Sequence, residues 1–433
     1  MANQLSDKHN STIDYAKLAA SRVSGMNSDV WTIFTQVSQQ FNTINLGQGF
    51  MSFPAPDFVK QAGCDAILAD KNQYSPPMGI PRLRNALAKN YSPLFGRELD
   101  PNNQILVTTG ANEGIFCAIS AFIEAGDEAI FIEPFFDQYL SNLTMNGGIP
   151  VYCPLRLDPS VEFNKNIPAS SYKINLVELE SKITAKTKLI IVNTPHNPVG
   201  KVFSKEELIG IGELAEKHNL IIISDEVYDR LYYKPHDHIR LGSMEKFWKR
   251  TVTVGSAGKT FGVTGWRVGW LIGPDELIRY CLAAHTRICF CTDHPIQDAV
   301  ASAFEQAESN GYFEQIIKDY QSRKDVLAKA FDDIGLPYVI PEGSYFILVN
   351  TDKLKVPREE WDAIPEHIKK RGLNYMMCYW IAKTAGVTAI PASEFYSEAN
   401  AALASNLARF AFCKSEDLLQ QASVRLSKLK NYI

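Results

Sequence analysis

Val252-Thr-Val-Gly255-Ser256-Ala257-Gly258-Lys259-Thr260-Phe261-Gly262-Val-Thr-Gly265-Trp266-Arg267-Val-Gly269-Trp270 sets one lysine among small residues, directly behind an alternating apolar segment. Further on, Arg267 stands between two tryptophans. Two chemistries account for a lysine so placed. Gly258-Lys259-Thr260 matches the end of a Walker A loop, in which backbone amides cradle phosphate and the lysine reaches it. The first glycine of that motif would fall on Thr253, however, and Phe261-Gly262-Val263-Thr264-Gly265 is poor material for the helix such a loop opens. The other chemistry is a Schiff-base lysine, whose amine condenses with the aldehyde of pyridoxal phosphate. A solvated surface lysine is the ordinary fate of this residue; the small, apolar surroundings argue against it without removing it.

Outward from this stretch, the chain from Gln104 alternates short apolar strands with helical periodicity, the sequence form of a parallel sheet flanked by helices. Strands are expected at Ile105–Thr109, Ala129–Ile132, Pro150–Cys153, Leu189–Val192, Leu220–Ile223, Thr251–Val254 and Val268–Ile272. Their apolar runs need cover on both faces. Ser204 and Glu207 form a capping-box pattern ahead of Leu208, Ile211, Leu214 and Ala215. Toward the N-terminus, Val30, Ile33, Phe34 and Val37 recur at helical spacing. Helical segments are expected through 275–334. After Gly335-Leu-Pro337 the texture changes to strands at Tyr345–Val349 and Ala408–Cys413 and a last helix carrying Leu419, Ala422, Leu426 and Leu429. The fold expected is therefore α/β, a large domain with a mostly parallel central sheet plus a smaller α/β domain. Its division is 1–45 for an N-terminal arm with part of the small domain, 46–330 for the large domain and 331–433 for the C-terminal small domain. The charged insert at 352–374, with Pro357 and Pro365, reads as a mobile surface segment.

Composition bounds the function. At 433 residues with 45% hydrophobic and 21% charged residues, the chain has the profile of a soluble globular protein with room for two domains. A net charge of -4 gives no electrostatic case for nucleic acid or an anionic membrane as partner. No run approaches the eighteen or so apolar residues of a membrane helix. The eight cysteines include no CxxC pair, which favours a reduced compartment, and no metal is expected at the site. The first thirty residues carry Asp7, Asp14 and Asp29 with Arg22 as their arginine, unlike a secretory or transit leader. A cytoplasmic location is expected, with a mitochondrial share left open. Ile44-Asn-Leu-Gly47-Gln48-Gly49-Phe50 lacks the third glycine of a dinucleotide fingerprint.

Polar residues gather where the expected strands end, the place where open parallel sheets bind ligands: Thr108-Thr109-Gly110-Ala111-Asn112-Glu113, Glu133-Pro-Phe-Phe136, Asn193-Thr-Pro-His196-Asn197-Pro198, Ser224-Asp225-Glu226-Val-Tyr228, and Ser256 with Lys259. The glycine turn before Asn112 offers free amides at a helix start, suited to phosphate; an ordinary strand-to-helix turn is the alternative. Asp225 follows an apolar run, so its carboxylate is placed to hold a pyridinium nitrogen, to cap a helix, or to pair with a cation. Arg409 alternates with apolar residues on an otherwise buried strand and would seek a carboxylate. That carboxylate belongs either to a substrate or to an internal ion pair. His196, between prolines, reads as structural or solvent-facing.

Taken together, Asn197-Pro198-Xaa-Gly200-Lys201, Ser224-Asp-Glu-Val-Tyr228 and Ser256-Ala-Gly-Lys259-Thr-Phe-Gly-Val-Thr-Gly-Trp-Arg267-Val-Gly269 resemble the fold-type I, class I pyridoxal-phosphate aminotransferases. Asn45-Leu-Gly-Gln-Gly-Phe50, Glu133-Pro-Phe-Phe-Asp137, Asn193-Thr-Pro-His-Asn-Pro198 and Ala389-Ile-Pro-Ala-Ser-Glu-Phe-Tyr396 carry a closer likeness to the kynurenine aminotransferases, also known as glutamine transaminase K and cysteine-conjugate β-lyase, in their fungal branch. The resemblance runs from about residue 25 onward. It implies that Lys259 bonds the cofactor and later shuttles the α-proton. It assigns Asp225 to the pyridine nitrogen, Asn197 and Tyr228 to the phenolic oxygen, and Phe136 to stacking on the ring. Phosphate falls to Ala111, Asn112, Ser256 and Arg267, and to Tyr74 from a partner subunit of a homodimer. Arg409 and Asn197 would take the substrate α-carboxylate, with Trp31 and Gly49 lining the pocket. The implied reaction moves an amino group from kynurenine to a 2-oxo acid, with β-lyase side activity; a broad aromatic or glutamine aminotransferase is the alternative. One departure stands out: the animal members place an aromatic residue where Asn112 stands, which leaves Asn112 as a polar contact.

Overall fold

In a computed structural model, residues 14–23 and 30–433 are described; the expectations that fall on 1–13 and 24–29 lie outside the described residues. Seven strands build the main sheet: β1 (Ile105–Thr108), β2 (Glu128–Glu133), β3 (Ile149–Pro154), β4 (Thr187–Asn193), β5 (Ile221–Asp225), β6 (Thr251–Ser256) and β7 (Gly269–Ile272). Their order across the sheet is β1-β7-β6-β5-β4-β2-β3. The five strands from β6 to β3 are parallel neighbours, and β7 runs antiparallel to both β6 and β1. A strand was expected at β7 and its reversed direction was not.

The cause of the sheet is legible in β4, where Leu189, Ile190, Ile191 and Val192 are all buried because helices cover both faces. Burying each such side chain is worth about 1.5–3 kcal/mol. The register then sets the depth of the polar ends. Asn193 and Val254 both pair with Asp225, while Gly269 pairs with Ser256 and Thr108. The carboxyl ends of β1, β4, β5 and β6 and the amino end of β7 therefore finish at two closely spaced levels.

Helices occupy the expected places at α1 (Val30–Gln40), α2 (Ala111–Phe122), α3 (Gln138–Met145), α4 (Lys205–Lys217), α5 (Asp275–Ile288), α6 (His294–Ala307), α7 (Tyr312–Ile334) and the last helix, α9 (Glu416–Leu426), whereas α8 (Leu373–Ala385) lies where no helix was expected. The Ser204–Glu207 capping box is formed at the start of α4. A second sheet joins β8 (Phe346–Asn350), β9 (Ile390–Pro391) and β10 (Leu407–Ala411) in the order β8-β10-β9. One core cluster binds α1, most of α7, β8, α8, β10 and α9. Ile44–Asn45 adds to it by pairing with Val387–Thr388.

The segment 352–374 departs from expectation. It carries two short helices, Arg358–Asp362 and Glu366–Lys369, each with its proline just ahead of the first turn, where a missing N–H costs no intrahelical bond. Ile364 and Ile368 are buried, and Trp380 Nε1 donates to Glu360 Oε2 at 2.8 Å. The prolines that suggested a loose loop start helices packed on the core.

Candidate active site

The strand ends enclose a cavity of about 150 Å³ lined by Ala111, Ser256 and Asp225 among others. Asn112, Phe136, Asn197, Tyr228, Lys259 and Arg267 line this cavity and also an adjoining cleft of about 540 Å³. The cleft brings in Trp31, Gly49, Tyr345, Phe346 and Arg409. Every expected site residue except Tyr74 is thus at one connected space.

Lys259 sits in a single helical turn, Ala257–Thr260, immediately after β6. Its Nζ lies 2.9 Å from Tyr345 Oη and 3.4 Å from the Gly49 carbonyl. Burial pulls its pKa down to about 8; Arg267 and Arg409 push the same way, against the Cys413 thiol and Asp225. An amine in this state is partly neutral near physiological pH, as a nucleophile or base must be.

Asp225 ends β5, is 4% exposed, and accepts hydrogen bonds from the Tyr139 hydroxyl and from the Val227 amide at 3.3 Å. Burial lifts its pKa to about 6, and these two donors resist the rise. Such a carboxylate is costly when ionised alone and favourable opposite a positive ring nitrogen. Asn193 holds the local backbone: its Nδ2 donates to the Asp225 carbonyl at 2.9 Å and its Oδ1 accepts from the Asn197 amide at 2.8 Å.

Between β1 and α2, Gly110 takes φ +80°, and a Cβ there would stand 2.5 Å from Arg267 Nη2. A Cβ on Gly269 would stand 2.6 Å from the Ala111 amide nitrogen. Two bare glycines therefore let a helix N-terminus, an arginine and Ser256 converge. Arg267 itself adopts φ +54°, a left-handed conformation uncommon for a side-chain-bearing residue. Free amides with a positive dipole end and a guanidinium make an anion cradle.

Arg409, on β10, is 1% exposed. Nη1 donates to Asn197 Oδ1 at 2.9 Å and Nη2 to the Gly47 carbonyl at 2.7 Å, while Nε is buried without a partner. The guanidinium lies 4.2 Å from the Phe346 ring centre and 4.6 Å from that of Phe395. Burial lowers its pKa to about 10. Among the described residues no carboxylate pairs with it, so the internal ion pair left open by the sequence is not formed. Arg409 lines the cleft with one N–H left over on each terminal nitrogen.

Other residues have different duties. Tyr74 is 83% exposed with its ring 5.4 Å from that of Phe290, outside the cavity. His196 is buried, not solvent-facing; burial lowers its pKa to about 3, so it is neutral, and its Nδ1 accepts from the Val199 amide. Lys201 is buried in an ion pair with Glu207 at 2.8 Å. Glu133, Glu113 and Glu226 are engaged with Asn400, His285 and His238 respectively. Asn112 Oδ1 accepts from Asn142 Nδ2 at 3.1 Å, a polar wall at the departing position. Trp31 Nε1 donates to Asp137 Oδ2 at 3.0 Å, tying α1 to the segment carrying Phe136.

Sequence reasoning passed over Tyr139, Asn193 and Tyr345 as functional residues. Tyr139 stands three residues after Phe136, one helical turn, and that spacing could have placed both at the same ring. Tyr345 gave no such signal, because an aromatic residue at the head of a buried strand reads as core.

A single carboxylate for a ring nitrogen, a buried amine and an anion cradle in one cavity fit pyridoxal phosphate, and the donor set contains no group that would oppose it. The model for "Aminotransferase class I and II" matches residues 42–426. A protein of Saccharomyces cerevisiae described as a probable kynurenine–oxoglutarate transaminase is 42% identical, over 95% of this chain and 94% of its own length. The human kynurenine–oxoglutarate transaminase 1 is 37% identical, over 96% of this chain and 99% of its own. The crystal structure of Bna3p from Saccharomyces cerevisiae superposes with a TM-score of 0.92 at 41% identity, covering 96% of this chain and 99% of that one.

Proposed function

Because the chain belongs to the class I and II aminotransferases, we propose that it is a pyridoxal-phosphate-dependent transaminase that moves the amino group of kynurenine to a 2-oxo acid. The observation that carries the chemistry is the buried, partly neutral Lys259 amine in one cavity with Asp225, beside an Arg409 that forms no ion pair among the described residues. The activity named for the yeast and human relatives supports kynurenine as the donor.

Pyridoxal phosphate supplies, when bound, an aldehyde that bonds to amines and a ring that accepts the electron pair left at the α-carbon. Lys259 is the residue it bonds and, once freed, the base that takes the α-proton and the acid that returns it. Asp225 holds the ring nitrogen, with Tyr139 holding Asp225. Asn197 Oδ1 is occupied by Arg409, which leaves its amide hydrogens for the phenolic oxygen, together with the Tyr228 hydroxyl. The amides of Ala111 and Asn112, the Ser256 hydroxyl and Arg267 take the phosphate, and Phe136 covers the ring. Arg409, assisted by Asn197, binds the substrate carboxylate, with Trp31 and Gly49 bounding the cleft. A donor with a good leaving group on its β-carbon would lose it after the same proton removal, so the proposal includes cysteine-conjugate β-lyase activity.

A homodimer is part of the proposal. Tyr74 and Phe290 are exposed side by side, which supports a role for Tyr74 at a second subunit's phosphate. The pairing of Ile44–Asn45 with Val387–Thr388 supports grouping the N-terminal arm with 331–433, a core that most of α7 also joins. One observation favours a second reading: Asn112, held by Asn142 from behind, puts a polar side chain on the wall of the cleft, which suits a polar donor side chain, as in a glutamine or broad aromatic aminotransferase. Rates for kynurenine, glutamine, phenylalanine and a cysteine conjugate, each with several oxo acids, separate these readings. The test of the chemistry is Lys259→Ala. The purified wild type is expected to show a visible cofactor band and to lose activity with borohydride, and the variant to be colourless and inactive. A colourless variant that still transaminates would sink the proposal.

A further inference from the structure

None of the roles above uses Tyr345, yet its hydroxyl is the closer of the two hydrogen-bond partners of the Lys259 amine, at 2.9 Å. Tyr345 is fully buried just ahead of β8. Its ring stacks on Tyr320 with centres 5.9 Å apart and meets Tyr228 edge-on at 5.0 Å, so the phenol is fixed in direction. Its single hydrogen goes to the Gly49 carbonyl at 2.7 Å. Toward Lys259, Tyr345 Oη is then an acceptor alone. The Gly49 carbonyl, which has a second lone pair, also faces Nζ at 3.4 Å.

A neutral amine has two N–H bonds and one lone pair. When both hydrogens are directed at Tyr345 Oη and the Gly49 carbonyl, the lone pair is turned away from them. Tyr345 and Gly49 belong to the wall of the cleft, while Lys259 borders both the cleft and the cavity, so the side left free faces the space where the two join. We propose that Tyr345 and the Gly49 carbonyl form a two-acceptor dock that holds the freed Lys259 amine with its lone pair facing that space. Tyr345 is thus a positioning residue for the proton transfer. The inference rests on the transaminase reading and deepens it. In the step served, the substrate α-C–H bond breaks, its electron pair stays with the substrate, and the proton becomes the third N–H of Lys259. Tyr345 keeps its own proton throughout.

The test is Tyr345→Phe, which deletes the hydroxyl and keeps the stacked ring. In the holoenzyme kcat is expected to fall about tenfold, within the range of misplaced acid–base groups, while KM for the donor stays within about twofold. An α-deuterated donor should show a larger isotope effect in the variant. In a second readout, the cofactor-free variant should take up pyridoxal phosphate about tenfold more slowly by its visible band, since the amine lone pair is no longer aimed. Gly49→Ala is the second variant: its Cβ would stand 3.0 Å from Tyr345 Cε2 and 3.2 Å from its hydroxyl, displacing the dock with the phenol intact. It should slow cofactor uptake in the same sense. Folded variants with wild-type uptake and wild-type kcat overturn the proposal. Were Lys259→Ala inactive and Tyr345→Phe unaltered, the transaminase reading would stand and this inference would fall; activity in Lys259→Ala would remove both.

Discussion

Replacing Arg409 with methionine keeps the length of a side chain packed among aromatic rings and removes its charge and all of its donors. A guanidinium carries five N–H groups, and Arg409 spends one on Asn197 and one on Gly47. One N–H is left over on each terminal nitrogen, a pair that can meet a carboxylate in a two-bond fork. Each hydrogen bond to a charged group contributes about 1.5–3 kcal/mol, so two of them supply about 3–6 kcal/mol to binding. The acceptors left bare by the substitution, Asn197 Oδ1 and the Gly47 carbonyl, are bare with and without substrate, and that penalty cancels. At 1.4 kcal/mol per factor of ten, kcat/KM for kynurenine should fall by about 10² to 10⁴-fold. The carboxylate is not the reacting centre, so the fork is the same in the ground state and at the transition state and most of the loss should appear in KM. The assay is steady-state transamination at saturating oxo acid, with the visible cofactor band as a check that loading is unchanged. The same titration with a decarboxylated amine donor should show little difference between variant and wild type. A variant whose kcat/KM for kynurenine stays within about threefold of wild type refutes the reasoning. So does an equal loss for a donor that has no carboxylate.

Asp225→Asn should raise the stability of the cofactor-free protein in a pH-dependent way. Burial lifts the Asp225 pKa to about 6, above its unfolded value near 4. Between these values the folded chain holds a proton the unfolded chain has lost, so ionisation costs the fold increasingly as pH rises from about 4 to about 6, by on the order of 3 kcal/mol above that window. Denaturant unfolding should show the variant gaining on wild type across that range and not below it; a gap independent of pH contradicts the assignment. Loaded with cofactor, the same variant should lose activity, because an amide cannot hold the ring nitrogen charged. Glu207→Gln leaves Lys201, 1% exposed, without its ion partner at 2.8 Å while an amide can still serve the capping box. A lost buried partner costs about 3–5 kcal/mol, so the unfolding midpoint should drop clearly while kcat stays within about twofold, Glu207 lying outside the cavity. An unchanged midpoint would show that Lys201 sheds its proton instead.

The strands, the capping box, α1 and the site residues on strand ends were legible because each is written within a few neighbouring residues. Period-two and helical spacing give the elements, and the motif around Lys259 gives the anchor. The prolines at 357 and 365 were misread because the same residue breaks a helix inside and starts one at its head. The status of Arg409 could not be read from its strand: an internal ion pair and a substrate fork have the same local sequence. Only the packing shows it reaching Asn197, 212 positions earlier in the chain, and forming no ion pair among the described residues. Tyr139 reaching Asp225 across 86 positions, and Tyr345 reaching Lys259 across another 86, are decided in the same way. The sequence by itself determined the strands of the main sheet, the capping box and the lysine that stands at the strand ends, because local spacing and side-chain chemistry govern all three. The tertiary structure alone decided which groups hold that lysine and that arginine, because hydrogen bonds between distant segments depend on sheet register and core packing.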